Sequence, residues 1–303
     1  MKSYHRFLYI FFILALTTIL VDQIIGIVIQ RLYFKQQSGP LYRTTYAMDS
    51  TNAQIIVLGT SRANHHYIPE IFEHKLKLTC YNAGRDGTSI FYHYAVLKCI
   101  LLRYKPRIIL LEMDAQDLIF RTEDIERVSA LFPYYDKHPQ IRSTIEMQGG
   151  LIPLKMLSRI YQSNTDLLNI LIGNMDFNKL RKKDFKGYIQ VIDGMKDSII
   201  ENRPKPMGYP DPIKVAFLDS VIDLCRANNI RLQVITSPIF GKSVNQKSNS
   251  ALKNFLTYKG IEYWEYENDK AFISQHHLFH DMIHLNDEGA RKFSEIVSNR
   301  LKN

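Results

Sequence analysis

From Ala53 onward the chain alternates short, nearly uninterrupted apolar runs with longer segments whose apolar residues recur at helical spacing. Runs of the first kind suit strands buried on both faces, and the alternation predicts a parallel sheet joined by crossover helices. Strands are expected at 54–58, 78–81, 107–112, 231–236 and 261–266. Helix signals fall between them: Pro69 suits a first helical turn, a helix over 89–104 stops before Pro106, and Asp211-Pro212 reads as an N-cap and first helical residue. Leu218, Val221, Ile222 and Cys225 then share one face up to Asn228-Asn229. A helix over 249–258 follows, and Asn286 opens a last one with Ala290, Phe293, Val297 and Leu301 on one face. Between about 120 and 210 the alternation stops. Short helical patterns at 151–161 and 166–172, with Pro204, Pro206 and Pro210, predict a mainly helical insertion that caps the site, serves as a lid or presents a partner surface.

The N-terminal segment follows a different pattern. Residues 7–21 carry no charge, and 24–29 extend the apolar run past Asp22-Gln23. At about 1.5 Å per residue, 7–29 covers roughly 33 Å, enough to cross a bilayer core. Asp22 is expected toward the far interface, where a carboxylate costs less than at the midplane. No small-x-small cleavage site follows the run, which favours an uncleaved anchor over a signal peptide. Lys2 and Arg6 flank one side and Arg31, Lys35 and Arg43 the other, so charge does not set the orientation. The expected organisation is a transmembrane anchor over 1–32, a polar, irregular linker over 33–52 broken at Ser38-Gly39-Pro40, and an α/β domain over 53–303 carrying the insertion.

The three cysteines, Cys80, Cys99 and Cys225, are odd in number and form no C-x-x-C; they read as small core residues, with one disulfide open if the domain lies outside the cytoplasm. The formal charge is +9, part of it at Arg181-Lys182-Lys183 and Lys186. That cluster is either a solvated helix face or an attraction for anionic lipid or acidic glycan. No nucleic-acid-binding motif accompanies it, so no nucleic-acid partner is expected.

The chemistry resides at two places. Ser61 follows the first strand, where open parallel sheets place their ligands, beyond the strand C-termini. Asp281 and His284 lie three residues apart, just before the last helix. A serine in a turn after a strand is commonly structural, and so is a lone loop histidine. Together the three supply a nucleophile, a general base and an orienting carboxylate for acyl transfer. His276, His280 and His284, spaced by four, would share a helical face as metal ligands do, but no further ligand cluster supports them, so no metal or other cofactor is expected.

Gly59-Thr60-Ser61, Asn82-Ala83-Gly84 and Asp281-x-x-His284-Leu285 resemble the first, second and fifth blocks of the SGNH/GDSL hydrolase superfamily, over roughly 53–119 and 211–303. The resemblance implies a flavodoxin-like three-layer α/β fold with a five-stranded parallel sheet, acting through an acyl ester of Ser61. Gly59-x-Ser61-x-Ala63 is also close to an α/β-hydrolase elbow, but a nucleophile after the first strand favours the SGNH arrangement. The chain departs from the family at Thr60, where aspartate is common, and at the third block. There it reads Glu112-Met113-Asp114-Ala115, so Asp114 stands in place of an asparagine. An ionised aspartate donates no hydrogen bond, so the oxyanion hole is expected to rest on the backbone N–H groups of Ser61 and Gly84, with Asn82 or Gln116 helping. Arg62 is expected either to bind an anionic substrate group or to pair with Asp86 or Asp114. Together with the anchor, these departures resemble a membrane-anchored branch that includes the D-alanine transfer protein of teichoic-acid modification and the alginate O-acetyltransferases.

The expected function is an O-acyl, in particular O-acetyl, esterase or acyltransferase of a cell-envelope polysaccharide. Its domain would lie outside the cytoplasm. Its partners would be an acyl donor (a small molecule or a membrane acyltransferase), a carbohydrate acceptor or acylated glycan, and the membrane itself. The alternatives are a non-catalytic glycan-binding module of the same fold and a lipid esterase.

Overall fold

The computed structural model describes residues 2–175, 185–195, 208–241 and 246–302. Two compact units emerge, one from 1–42 with 128–181 and the other from 43–127 with 182–303.

The second unit holds the sheet. Strands β1 (Ile55–Gly59), β2 (Cys80–Asn82), β3 (Ile108–Glu112), β4 (Arg231–Thr236) and β5 (Tyr263–Glu265) are all parallel, in the order β2-β1-β3-β4-β5. This is the flavodoxin-type doubly wound order. Every residue of β1 and β3 is buried, as their Ile/Val/Leu runs require. Ile55 and Val57 of β1 and Ile108 and Leu110 of β3 join Phe72, Phe293 and Val297 in one core, beneath helices Pro69–Leu76 and Asp287–Lys302. Intervening residues project to the other face, where helices Ile90–Arg103 and Pro212–Ala227 pack together. Asp211 caps the latter, its carboxylate accepting the Ile213 N–H at 2.9 Å, with Pro212 at the first helical position. Gly59 pairs with Glu112 and Glu112 with Ile235, so the C-terminal tips of the three central strands end level. The edge strand β5 pairs only with Val234–Thr236 of β4 and is shorter than the 261–266 expected.

Two expectations need correction. Residues 33–52 are not an irregular linker: Gly39–Asp49 is a helix, with Pro40 in its first turn and Leu41, Ala47 and Met48 buried. The break signal marks a helix start. Nor is 120–210 one block. Its described part forms short helices such as Arg142–Glu146, Ile152–Lys155 and Leu167–Asn174, while Tyr188 and Met195 enter the sheet core. Arg181, Lys182, Lys183, Pro204 and Pro206 lie outside the described residues; Lys186 pairs with Glu73.

The first unit is built on helix Lys2–Lys35, whose stretch Ser3–Lys35 is long and apolar enough to cross a membrane. All three cysteines are buried and none forms a disulfide, in accord with the core reading.

Candidate active site

Ser61 is the first residue of helix Ser61–His66, directly after the β1 tip. Two glycines permit so tight a junction. Gly59 has φ +141°, and a Cβ there would stand 2.5 Å from the Glu112 carbonyl oxygen. At Gly84 a Cβ would stand 2.6 Å from the Asn64 nitrogen. Either side chain would push the serine's helix off the sheet.

The Asp281–His284 loop is folded by its own aspartate. Asp281 Oδ1 accepts the backbone N–H groups of Ile283 and His284, both at 2.8 Å. This turn lets Oδ2 accept from His284 Nδ1 at 2.8 Å, leaving Nε2 facing Ser61 Oγ at 2.7 Å. A carboxylate only accepts, so Nδ1 carries the ring proton and Nε2 is free to take one from serine. Burial pushes the Asp281 carboxyl up, but the hydrogen bond and charge of His284, with the two N–H groups, hold it at about 2.

His66 secures the loop from below. Its Nε2 accepts the Leu285 N–H at 3.0 Å, which fixes the proton on Nδ1, facing Ser237 Oγ at 2.8 Å. Ser237 in turn donates to Glu112 Oε1 at 2.9 Å, and Tyr67 donates to the other oxygen. Burial first, then the neighbouring His284, Arg62 and His65, keep His66 well below the usual imidazole range.

Behind the serine, Arg62 is buried among carboxylates. Its Nε lies 3.3 Å from Glu112, and one terminal nitrogen lies 3.0 Å from Asp114 and 3.8 Å from Asp117. Burial alone would lower the guanidinium; Asp114, Glu112 and Asp117 more than offset it and hold it above its ordinary value. Of the two partners expected for Arg62, Asp114 is present, whereas Asp86 pairs with His65 at 3.2 Å and accepts from Asn64 at 2.7 Å. Burial drives the Glu112 carboxyl up against the pull of Arg62, Tyr67 and Ser237.

The residues expected to form the oxyanion hole divide. Asn82 spends its amide on Ala63 O at 2.7 Å and Tyr67 O at 2.9 Å, and its Oδ1 accepts the Gly84 N–H at 2.9 Å. Neither group is left to receive an oxyanion. The Asn82 amide instead holds the serine's helix through the carbonyls of Ala63 and, just past its end, Tyr67. Asp114 is likewise engaged, by Arg62 and by the N–H groups of Gln116 (2.8 Å) and Asp117 (3.3 Å). Gln116 faces the pocket with its side-chain amide unpartnered among the described residues.

Ser61 opens into a cavity of about 330 Å3, lined by Thr88, Ser89, Gln116, Arg121, Arg127, Ile239 and Ile283 among others. Its polar wall was not foreseen from sequence, because residues 87–89 and 121–127 carry no motif. Glu112 gave a usable signal: a charged residue closing an otherwise apolar buried strand. His276 lies in a single 3₁₀ turn, its ring against Phe240. His280 faces Asp193 O at 3.1 Å, so the His276/His280/His284 spacing does not bring the three rings to a common point. Among the described residues no group of three or more His, Cys, Asp or Glu side chains is arranged to hold a metal.

No protein-family model and no curated protein matches the chain. Among solved structures it is similar to a proposed platelet activating factor from Streptococcus pneumoniae, at 13% identity and TM-score 0.43 over 95% of this chain and 99% of that one. It is similar to a GDSL-like lipase from Bacteroides thetaiotaomicron at 8% identity and TM-score 0.41, over 82% and 86% of the two chains. A proposed acylhydrolase from Bacteroides fragilis is similar at 13% identity and TM-score 0.39, over 82% and 88%. Likeness at this level leaves the reading of the site to its own geometry.

Proposed function

We propose that the protein is a serine-dependent O-acyl esterase or acyltransferase that works through an acyl ester of Ser61. The observation that carries this reading is the relay Ser61 Oγ–His284 Nε2–Nδ1–Asp281, with both contacts below 3 Å and its serine end in the cavity. Ser61 Oγ attacks the ester carbonyl carbon as its proton passes to His284 Nε2, and Asp281 stabilises the resulting imidazolium. Collapse of the tetrahedral adduct expels the alcohol, which takes the proton from His284. Water or a sugar hydroxyl then repeats the sequence on the acyl-enzyme. The oxyanion is met by the Ser61 backbone N–H and the Gln116 amide, since Asn82, Gly84 and Asp114 are engaged elsewhere.

The substrate proposed is a cell-envelope polysaccharide bearing a short acyl group. In its favour, Ile239 and Ile283 are the only large apolar residues lining the cavity among the described residues, which suits an acetyl group and hydroxyls better than a fatty chain. The acyl donor would be a small molecule or a membrane acyltransferase partner, and the sheet unit would lie outside the cytoplasm. An uncleaved anchor is favoured because Asp22, Gln23 and Gln30 are hydrogen-bonded partners of residues 157–162. One observation favours a second reading, a non-catalytic glycan-binding module: the asparagine donor of the third block is replaced by the tied Asp114.

Intact-mass analysis of the full chain in detergent after fluorophosphonate treatment tests the choice. A single adduct, abolished in Ser61→Ala and His284→Ala, is expected. A folded wild-type chain that takes no adduct would instead be a binding module.

A further inference from the structure

Where residues 157–174 run beside helix Lys2–Lys35, polar groups face one another and many large apolar side chains face outward. Along helix Lys2–Lys35, Asp22 accepts from Ser158 Oγ at 2.6 Å and from the Arg159 backbone N–H at 2.9 Å. Gln23 donates to Leu157 O at 3.0 Å and accepts from Arg159 Nε at 2.8 Å; Gln30 donates to Gln162 at 2.6 Å. Gly26 lets this segment in: a Cβ there would stand 2.2 Å from Arg159 Cβ. Further along, Asn174 donates to Leu32 O at 2.8 Å, and the Gln36 side chain abuts Gly173. Residues 157–174 thus follow the helix from 22 to 36, roughly 20 Å.

What this segment leaves exposed is largely apolar. Leu151, Leu154, Leu157, Leu168, Leu171 and Ile172 are 36–70% exposed, and Ile24, Ile25 and Val28 of the helix are exposed as well. Lys155 is the only exposed charged residue in 151–175, and a lysine can extend its amine to a distant interface. In water, so many large apolar side chains on one short segment exceed what a monomer ordinarily shows. In lipid, Asp22, Gln23 and Gln30 would be costly without partners. One environment satisfies both sets. Helix Lys2–Lys35 is roughly 50 Å long, more than a core about 30 Å thick requires, and Asp22 falls within it.

We propose that residues 151–175 enter the bilayer beside the helix, with their leucines in contact with lipid acyl chains and their polar groups closing a hydrogen-bonded seam around Asp22. The inference rests on retention of the helix in the membrane and not on acyl chemistry, so a failed fluorophosphonate reaction would leave it standing.

The test uses the full chain in phosphatidylethanolamine/phosphatidylglycerol vesicles, bimane-labelled at Leu154→Cys or Leu168→Cys. Asp223→Cys, on the exposed face of helix Pro212–Ala227, is the aqueous control, and the native cysteines are buried. Brominated acyl chains are expected to quench the labels at 154 and 168 and leave that at 223 unaffected, with aqueous iodide giving the reverse. Iodide quenching at 154 and 168 equal to that at 223 would overturn the proposal. So would shielding from both quenchers, which would mean that protein covers the leucines.

Discussion

The sheet core and the seam around Asp22 in the helical unit are closed by opposite kinds of group. In the sheet unit, Ile55, Val57, Phe72 and Phe293 are inside, and the polar groups gather at the strand tips around Ser61. In the helical unit, Asp22, Gln23 and Gln30 are turned inward and Leu154, Leu157 and Leu168 outward. Both obey one rule, that a buried polar group needs a partner. On the proposal above, what differs is the solvent each surface meets, water for one and hydrocarbon for the other. Exposure of a leucine is thus informative only beside the fate of the nearest carboxylate.

The largest expected effect breaks the sheet unit's chemistry and leaves its fold intact. Ser61→Ala or His284→Ala should lower ester turnover by about 10⁴–10⁶-fold with the thermal midpoint unchanged. Glu112→Ala should do the opposite. It takes from Arg62 one of its carboxylates and from the Tyr67 and Ser237 hydroxyls their acceptor in a buried network, at about 3–5 kcal/mol of stability by urea denaturation, with no comparable loss expected from changing an exposed leucine of the helical unit in lipid. Gln116→Ala should lower kcat by about 10²–10³-fold at unchanged stability, if the amide meets the oxyanion. Asp22→Ala leaves Ser158 and Arg159 without their acceptor. About 1–3 kcal/mol is expected, read as faster proteolysis within 151–175 while the Ser61 adduct still forms.

Acid provides the mildest separation. Burial holds His93 at about 3, below its ordinary 6.5. The stability contributed by keeping it neutral is complete above pH 6.5 and falls as pH drops toward 3, at about 1.4 kcal/mol per pH unit. Asp86 is raised by burial but held at about 2 by His65, Asn64 and Arg43, and its contribution fades in the same direction below its ordinary 3.8. Melting the full chain between pH 7.5 and 4.5 should show a falling midpoint, and His93→Gln should flatten that fall.

Much of the sheet was legible because its strands are apolar runs and its helices carry their own stop and start residues, such as Asp211-Pro212. Ser61, Asp281 and His284 were legible for a related reason: the last two act over three residues, and the first follows a strand directly. The roles of Asn82 and Gly84 were not, because an amide's partners depend on which carbonyls face it, here those of Ala63 and Tyr67. The Gly39-Pro40 pair misled because one dipeptide can break a helix or open it. His66 gave no signal at all; its importance comes from Leu285, more than two hundred residues away in sequence.

That contact bears on how a rate profile would be interpreted. Leu285 N–H needs an unprotonated His66 nitrogen, so charging His66 would release the backbone immediately after the general base. Acid would then silence turnover by detaching the loop that carries the general base, and the loss would come with faster hydrogen exchange at the Leu285 amide, which a change confined to the His284 ring would not produce.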